Sequence, residues 1–262
     1  MTDKQPIVYS CYHSRSWQGE QFIPEYIFSY MVSGSMINND GVKSYVFKEG
    51  SFKLSKRNRL NKFIKQPPEN GDFKMLSVYL DQQTLRNFSL EYGYKSNIHI
   101  EGDPVVELKP HPLLTNYIES LKPYEQLTQP ENKLLLNIKQ KELLLILLQT
   151  NPELKDVLFD FNEPGKIDLE AFMNKNYHFN VRLERFAYLT GRSLATFKRD
   201  FEKLFHTSPS KWLTEKRLQE AHYQIKEQGK APSDIYLDLG FENLSHFSFA
   251  FKKMFGIAPS RV

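Results

Sequence analysis

Lys198 and Arg199 are neighbouring cations in a stretch near the end of the 262-residue chain. Either side chain can donate hydrogen bonds to O6 and N7 of guanine, whereas Thr196 suits a phosphate oxygen and Ala195 a thymine methyl group. The full stretch, taken as one outward helix face, is Ala195, Thr196, Lys198, Arg199 and Glu202. A second stretch without arginine is Leu244, Ser245, His246, Ser248, Phe249 and Lys252. The chemistry that these residues offer is contact with double-stranded DNA.

The elements that must position these stretches are two copies of one pattern, offset by 50 residues. The copies are Phe197, Phe201, Leu204, Phe205 and Pro209, and then Phe247, Phe251, Met254, Phe255 and Pro259. The first four positions of each copy are spaced i, i+4, i+7 and i+8, which places them on one face of an α-helix. The pattern therefore predicts two amphipathic helices, each with a buried apolar stripe.

Each predicted helix follows a turn that contains glycine. A short apolar helix from residue 183 ends at Gly191, and Ser193 then offers a side-chain oxygen as the N-cap. In the second copy residues 233–239 form the short helix before Gly240, with Asn243 or Ser245 as the cap. Two helices joined in this way are typical of a helix-turn-helix. We therefore expect two such units, at about 180–206 and 230–256.

A long helix is predicted between the two units. Residues 211–228 contain no proline or glycine, and Leu218, Ala221 and Ile225 recur at helical spacing before Gly229. A helix of roughly 18 residues spans about 27 Å, which approaches the roughly 34 Å between successive major-groove faces on one side of DNA. One chain is thus expected to place two recognition helices in neighbouring groove segments.

The last 95 or so residues resemble the AraC/XylS family of bacterial transcription regulators. The matching positions of the second unit are Ile235, Gly240, Phe241, Phe247, Phe251, Lys252, Gly256 and Pro259. Those of the first unit and the connecting helix are Leu183, Ala187, Gly191, Ser193, Phe197, Arg199, Phe201, Arg217, Leu218 and Ala221. His206 stands where the family has a glycine. The resemblance implies a DNA-binding regulator, more commonly an activator, with base contacts at Ala195, Lys198 and Arg199.

Two interpretations of the second recognition helix remain open. The family often has a long polar or basic residue at the position of Phe249, so readout by this helix is expected to be weaker or more dependent on DNA shape. In the alternative, Phe249 completes the core and His246 only hydrogen-bonds a phosphate.

The positive charge lies in the C-terminal part. Residues 181–262 hold 14 Lys and Arg against 9 Asp and Glu, whereas the whole chain has a net charge of +4. Residues 1–180 are therefore close to neutral. The cations around the two units are Arg182, Arg185, Arg192, Lys198, Arg199, Lys203, Lys211, Lys252 and Lys253. Such an excess favours phosphate neutralisation and counterion release.

The N-terminal part has a different pattern. Between residues 7 and 110, short β-rich runs such as 26–32, 45–47, 52–54 and 75–80 alternate with turn signals, which predicts a small barrel or sandwich. The family resemblance implies a cupin-like barrel that binds an effector or a partner. The predicted organisation is a barrel over 1–110, a helical segment over 111–160, a linker over 161–167 and an all-α DNA-binding domain over 168–262.

The helical segment is expected at residues 113–121 and 132–149. The second helix is unusually apolar, with an unbroken run at 143–148 that is too short to cross a bilayer. We expect the pair to pack on the barrel and to form a dimer contact, as the family resemblance suggests. A purely intramolecular core helix is the alternative.

Enzymatic function is not expected. A metal-dependent cupin needs clustered histidines, and residues 14–98 contain none, so neither a catalytic site, a metal site nor a cofactor is predicted. The single Cys11 cannot form an internal disulfide, and a redox-sensing thiol is a minor alternative.

With no signal-like N-terminus, a cytoplasmic location is expected. The expected partners are DNA, RNA polymerase, a second copy of the chain, and a small effector or a regulatory protein.

Overall fold

A computed structural model describes residues 5–16, 21–96, 98–99, 102–124 and 133–262. The chain forms two compact units, one of Met1–Gly19 and Ile23–Asn162, the other of Glu20–Phe22 and Glu163–Val262. The first is rich in β-structure and the second is helical, so the predicted fold class is confirmed at that level.

The strands are β1 (Ile7–Tyr12), β2 (Phe22–Ile23), β3 (Tyr26–Ser33), β4 (Ser35–Asn39), β5 (Ser44–Lys48), β6 (Phe52–Ser55), β7 (Arg59–Leu60), β8 (Lys62–Gln66), β9 (Phe73–Leu80) and β10 (Val105–Leu108). The helices of the first unit are α1 (Gln82–Tyr92), α2 (Pro112–Leu121), α3 (Lys133–Thr150) and α4 (Leu154–Leu158). Those of the second unit are α5 (Leu169–Asn176), α6 (Leu183–Leu189), α7 (Leu194–Phe205), α8 (Pro209–Gln228), α9 (Pro232–Ile235) and α10 (Leu244–Phe255).

Two antiparallel sheets form most of the β-structure of the first unit, and β2 pairs with β7. The larger has the strand order β1-β9-β3-β6-β10, and the other has the order β5-β4-β8. Side chains alternate between the two faces of each strand. On one face of the larger sheet, Met31 and Met75 pack with Met36 and Phe47 of the smaller sheet. The space between the sheets thus holds a buried apolar cluster.

The opposite face of the larger sheet carries the helices. Phe28, Leu54 and Val78 are cross-strand partners and belong to one buried cluster with Phe88 of α1 and Tyr117 of α2. Burial of rings of this size stabilises a fold by about 1.5–3 kcal/mol each. The first unit is therefore a helix layer on two stacked sheets.

Lys53 is buried in the core between the sheets. Its Nζ lies 3.0 Å from Met36 Sδ and 3.3 Å from Asn38 Oδ1. Burial lowers the pKa of this lysine to about 7, because the charged form loses its hydration. The sequence did not indicate that Lys53 is buried, because apolar and polar residues alternate along β6 as they do in a strand with one exposed face.

Helix α3 has two apolar faces. Leu143, Leu144 and Leu147 are fully buried in the cluster beneath the helices. A second set is exposed on the other side and comprises Leu134, Leu135, Ile138 and Leu145. If α3 were only a core helix within its own chain, that would explain the buried face but not the exposed apolar residues. Residue 132, where the sequence predicts this helix to begin, lies outside the described residues.

Two helices of the first unit were not expected from the sequence. Helix α1 lies within the range predicted as a barrel, and α4 comes after the two helices that were expected within the helical segment over 111–160. The side chain of Asp81 accepts a hydrogen bond from Thr84 N at 2.7 Å and caps α1. This capping signal was present in the sequence but was outweighed by the neighbouring β-rich runs. Among the described residues, no helix combines the length and hydrophobicity needed to span a membrane.

Candidate nucleic-acid interface

The turn between α6 and α7 requires glycine at residue 191. Gly191 has a φ of +65°, and a Cβ atom there would lie 2.4 Å from the backbone of Gly165. Both the conformation and the space therefore exclude a side chain. Two residues later, Ser193 Oγ accepts a hydrogen bond from Thr196 N at 3.2 Å and caps α7. The first recognition helix thus begins at a fixed point.

The turn before α10 repeats this arrangement. Gly240 has a φ of +83°, and a Cβ atom there would lie 2.8 Å from His178 O. Of the two caps considered, Asn243 is the one that forms, because its Oδ1 accepts from His246 N at 2.8 Å. Helix α9 is shorter than predicted and ends at Ile235; in the turn that follows, the N–H of Gly240 bonds to Leu237 O, three residues back.

Two phenylalanines anchor each recognition helix. Phe197 and Phe201 of α7 are fully buried, as are Phe247 and Phe251 of α10. The prediction was wrong for the i+7 members of the stripes, since Leu204 and Met254 are exposed. Both lie in the last turn of their helices, where fewer neighbouring elements remain to cover a side chain.

The outward face of α7 presents the predicted contact residues together. Ala195, Lys198, Arg199 and Glu202 are exposed. The side chain of Arg199 is 67% exposed, and its Nε lies 3.9 Å from Asp200 Oδ1. This long ion pair leaves the guanidinium group accessible to a base edge.

Thr196 differs from its neighbours on this face. It is only partly exposed, and its hydroxyl lies 3.0 Å from Ser193 Oγ. It therefore takes part in the capping of α7, and a phosphate contact by its hydroxyl stays a prediction.

Arg192 is structural rather than a free surface cation. Its Nε donates to Asp200 Oδ2 at 3.1 Å, and its Nη1 donates to Thr190 O at 2.7 Å and to Ile167 O at 3.0 Å. The hydrogen bond from Arg192 holds the pKa of the Asp200 carboxyl below its usual range. The role of Asp200 was not predicted from the sequence. The signal that could have indicated it is an acidic residue within α7, eight positions after an arginine that precedes the helix.

The outward face of α10 carries the second set of predicted residues. Leu244, Ser245, His246 and Lys252 are exposed and Ser248 is partly exposed. Phe249 is 71% exposed. The alternative in which Phe249 completes the core is therefore wrong. A ring of this size on an accessible helix face suits contact with sugar, a thymine methyl group or another protein.

Arg217 of α8 holds the second unit together. Its guanidinium donates to Tyr177 O at 2.7 Å, to Phe179 O at 2.8 Å and to Gly240 O at 3.0 Å. Burial lowers its pKa to about 10, which leaves it protonated at neutral pH. Nothing in the sequence indicates these bonds, because a backbone carbonyl has no residue-specific signature.

Both recognition helices end with a left-handed residue. His206 has a φ of 54° and Gly256 a φ of 78°. Only glycine adopts this conformation without steric cost, which is about 1–2 kcal/mol for other residues. Histidine in place of the family's usual glycine at residue 206 therefore keeps the left-handed geometry of the helix end but makes it less stable.

A segment from the N-terminal part of the sequence belongs to this unit. Gln21 Oε1 accepts a hydrogen bond from Asn180 N at 2.7 Å. The ring of Phe22 packs edge-on against Tyr188, with centroids 6.4 Å apart, and lies 4.6 Å from the guanidinium of Arg185. Residues far apart in sequence thus complete the surroundings of α6.

Comparisons with known proteins agree with this geometry. Residues 186–262 match the family model "Helix-turn-helix domain", and residues 26–157 match "ExsA N-terminal regulatory domain". The HTH-type transcriptional regulator ExsA of Pseudomonas aeruginosa is 29% identical over 72% of this chain and 70% of its own length. The virulence regulon transcriptional activator VirF of Yersinia enterocolitica is 33% identical over 36% of this chain and 34% of its own length.

Among solved structures, apo ToxT K231A from Vibrio cholerae has a TM-score of 0.48 at 13% sequence identity, and the match covers 98% of this chain and 97% of ToxT. The N-terminal regulatory model alone spans half of the chain, and the predicted resemblance to AraC-type regulators is confirmed by it and by the helix-turn-helix match. The chain belongs to the AraC family of helix-turn-helix transcription regulators, with an N-terminal regulatory domain of the ExsA family.

Proposed function

We propose that this regulator is a sequence-specific activator that places α7 and α10 in adjacent segments of one major-groove face. The observation that carries the proposal is the equivalence of the two helices. Each follows a turn with a left-handed glycine, begins at a side-chain cap, and buries two phenylalanines behind an exposed face. Helix α8, which joins the units, has 20 residues and therefore spans about 30 Å.

The direction of regulation is also part of the proposal. Activation is supported by the Yersinia relative VirF, a transcriptional activator that is similar to the DNA-binding part of this chain. An activator bound beside a promoter must contact RNA polymerase, which we propose as a partner. We further propose that the N-terminal unit is a cupin-like barrel, as the family resemblance implies, and that it responds to an effector or to a regulatory protein.

A selection from random double-stranded DNA with the full-length protein tests the central proposal. At near-physiological salt, two enriched sequence blocks about one helical turn apart are expected, since half-site spacing reflects the distance between recognition helices. Enrichment of a single block would show that only one helix reads bases. An absence of any enriched sequence would contradict the proposal.

Arg199→Ala is expected to reduce the preference for the selected site by about 1–3 kcal/mol, because a bidentate contact to guanine is lost. Lys203→Ala is the matched control, since it removes one positive charge from the same helix at another exposed position. We expect the control to weaken binding to all sequences alike. The slope of the logarithm of the binding constant against the logarithm of the salt concentration should become shallower by about one. Titrations of specific and scrambled duplexes at several salt concentrations measure both effects. Equal loss of preference in the two variants would show that α7 is oriented differently.

We also propose that the regulator forms a homodimer through α3. The exposed apolar set of this helix includes Leu135, Ile138 and Leu145, whose spacing of three and seven residues places them along one stripe. A second copy of the same stripe would cover it in an isologous contact. Exposed apolar stripes of this kind are uncommon on monomeric proteins.

Ile138→Glu is expected to convert the dimer into a monomer, because it places a charge at the centre of the proposed contact. Val42→Glu provides the control, since Val42 is also exposed, at 68% against 60% for Ile138, but lies in the turn between β4 and β5. Sedimentation equilibrium gives the mass of each variant over a range of concentrations. The dimer proposal fails if the wild type is monomeric or if Ile138→Glu leaves a dimer intact.

The absence of enzymatic activity and the cytoplasmic location stay predictions. Both are part of the proposed function, since a DNA-binding activator acts where the chromosome is and needs no catalysis of its own.

A further inference from the structure

Three side chains with metal-binding chemistry converge at one end of the larger sheet in the first unit. Cys11 is the second-last residue of β1, His13 follows the end of that strand, and Asp72 directly precedes β9. In the antiparallel register Cys11 is opposite Lys74 and Tyr12 is opposite Phe73. The next pair along the same ladder is His13 and Asp72. Residues two apart on a strand point to the same side, which brings Cys11 and His13 together.

The ligand atoms of this cluster are already close to one another. His13 Nδ1 lies 2.6 Å from Asp72 Oδ1, and Cys11 Sγ lies 3.7 Å from Asp72 Oδ2. All three ligand atoms are within 4.8 Å of one another. Around a tetrahedral zinc ion with the usual bond lengths, neighbouring ligand atoms are about 3.3–3.8 Å apart. The His13–Asp72 pair has to separate by less than about 1 Å to admit an ion, and the Cys11–Asp72 distance already lies in this range.

The donor set is specific in its chemistry. A thiolate, an imidazole nitrogen and a carboxylate oxygen together suit a borderline transition metal, whereas Mg²⁺ and Ca²⁺ take oxygen ligands. Within the described ranges, no other three such side chains converge in this way.

We propose that Cys11, His13 and Asp72 bind one Zn²⁺ ion per chain, with water as the fourth ligand. On binding, the Cys11 thiol releases its proton to solvent. His13 loses the proton on Nδ1, to solvent if the ring is charged or by a shift to the Nε2–H tautomer through water if it is neutral, so Nδ1 is free to coordinate and the hydrogen bond to Asp72 is exchanged for two metal bonds. Because Cys11 and His13 are exposed, the ion enters directly from solution. The Lys74 ammonium near Asp72 competes with the ion for the carboxylate. A bound ion ties the end of β1 to the start of β9.

The site is independent of DNA binding and is tested on the full-length protein, stripped of metal and kept reduced with a phosphine. Zn²⁺ is titrated in competition with a chromophoric chelator, and Co²⁺ is added in a parallel experiment. We expect one Zn²⁺ per chain, and a thiolate-to-cobalt charge-transfer band in the near ultraviolet. Cys11→Ser should abolish that band. Each of Cys11→Ser, His13→Asn and Asp72→Asn should weaken Zn²⁺ binding by at least about tenfold.

His246→Ala is the control, because it removes an exposed histidine from the other unit. Its Zn²⁺ affinity and cobalt spectrum should equal those of the wild type. Circular dichroism confirms that each variant is folded, and the wild-type cobalt spectrum alone decides the question if a variant is not. A wild-type protein that binds no Zn²⁺ beyond the amount bound by Cys11→Ser, or a cobalt complex without the charge-transfer band, would overturn the proposal.

Discussion

Phe201→Ala is expected to destabilise the DNA-binding unit by about 3–5 kcal/mol, the usual cost of removing a fully buried aromatic ring. Phe201 has no exposed surface. Its ring centroid lies 4.3 Å from that of Phe205, 5.7 Å from that of Phe197 and 5.6 Å from that of Trp212. The alanine variant leaves a cavity among three rings, which can close only in part. Chemical denaturation followed by tryptophan fluorescence reports on this region directly, since Trp212 is one of the neighbours.

Phe249→Ala is the matched control for this cavity. The same truncation is made on the equivalent helix, but at a side chain that is 71% exposed. Exposed substitutions of this kind usually change stability by less than about 0.5 kcal/mol. If both variants unfold at the same denaturant concentration as the wild type, Phe201 is not part of a packed core. DNA affinity of the Phe249 variant separately shows whether this ring contacts DNA.

Arg217→Met should cost about 3 kcal/mol or more, because it leaves three carbonyl oxygens without their donor. Methionine fills much of the volume of the arginine stem, so the loss reports on hydrogen bonds more than on packing. The three carbonyls belong to Tyr177, Phe179 and Gly240, which lie on either side of α8 in the sequence. Loss of the bonds should therefore loosen the segment after α5 and the second helix-turn-helix together.

Lys211→Met on the same helix controls for the loss of a positive charge. The side chain of Lys211 is 69% exposed and its Nζ lies 3.9 Å from Glu215 Oε1, a pair worth about 0–1 kcal/mol. Arg217→Lys should be intermediate, because a single ammonium cannot reach three carbonyls in fork geometry. Thermal denaturation orders the three variants. A Met variant as stable as the Lys211 control would mean that water replaces the lost donor at little cost.

The parts that could be predicted from sequence are those fixed by local spacing. The phenylalanine stripes, the glycine turns and the Ser193 cap all follow from helical periodicity and from the conformations open to glycine. The same local pattern could not show that Leu204 and Met254 are exposed, because their exposure depends on where neighbouring elements end. Helical periodicity also predicted the orientation of α7, with Arg199 facing outward, and the family resemblance agreed with it.

Features that depend on residues distant in the sequence were missed. Asp72 is 59 residues from His13, and only the register of β1 with β9 brings the two together. The partners of Arg217 are backbone carbonyls 23 to 40 residues away, and any residue type could supply them. The pKa shift of Lys53 likewise depends on which face of β6 is covered by the smaller sheet.

The contacts of Gln21 and Phe22 have a practical consequence for dissecting this regulator. The DNA-binding unit is discontinuous in the chain, since it includes these two residues as well as everything after residue 162. A fragment that starts at 163 lacks the acceptor for Asn180 N and leaves the ring of Tyr188 without its edge-on neighbour. Weak binding by such a fragment would therefore reflect an incomplete unit, and a faithful minimal version has to carry the short N-terminal segment with it.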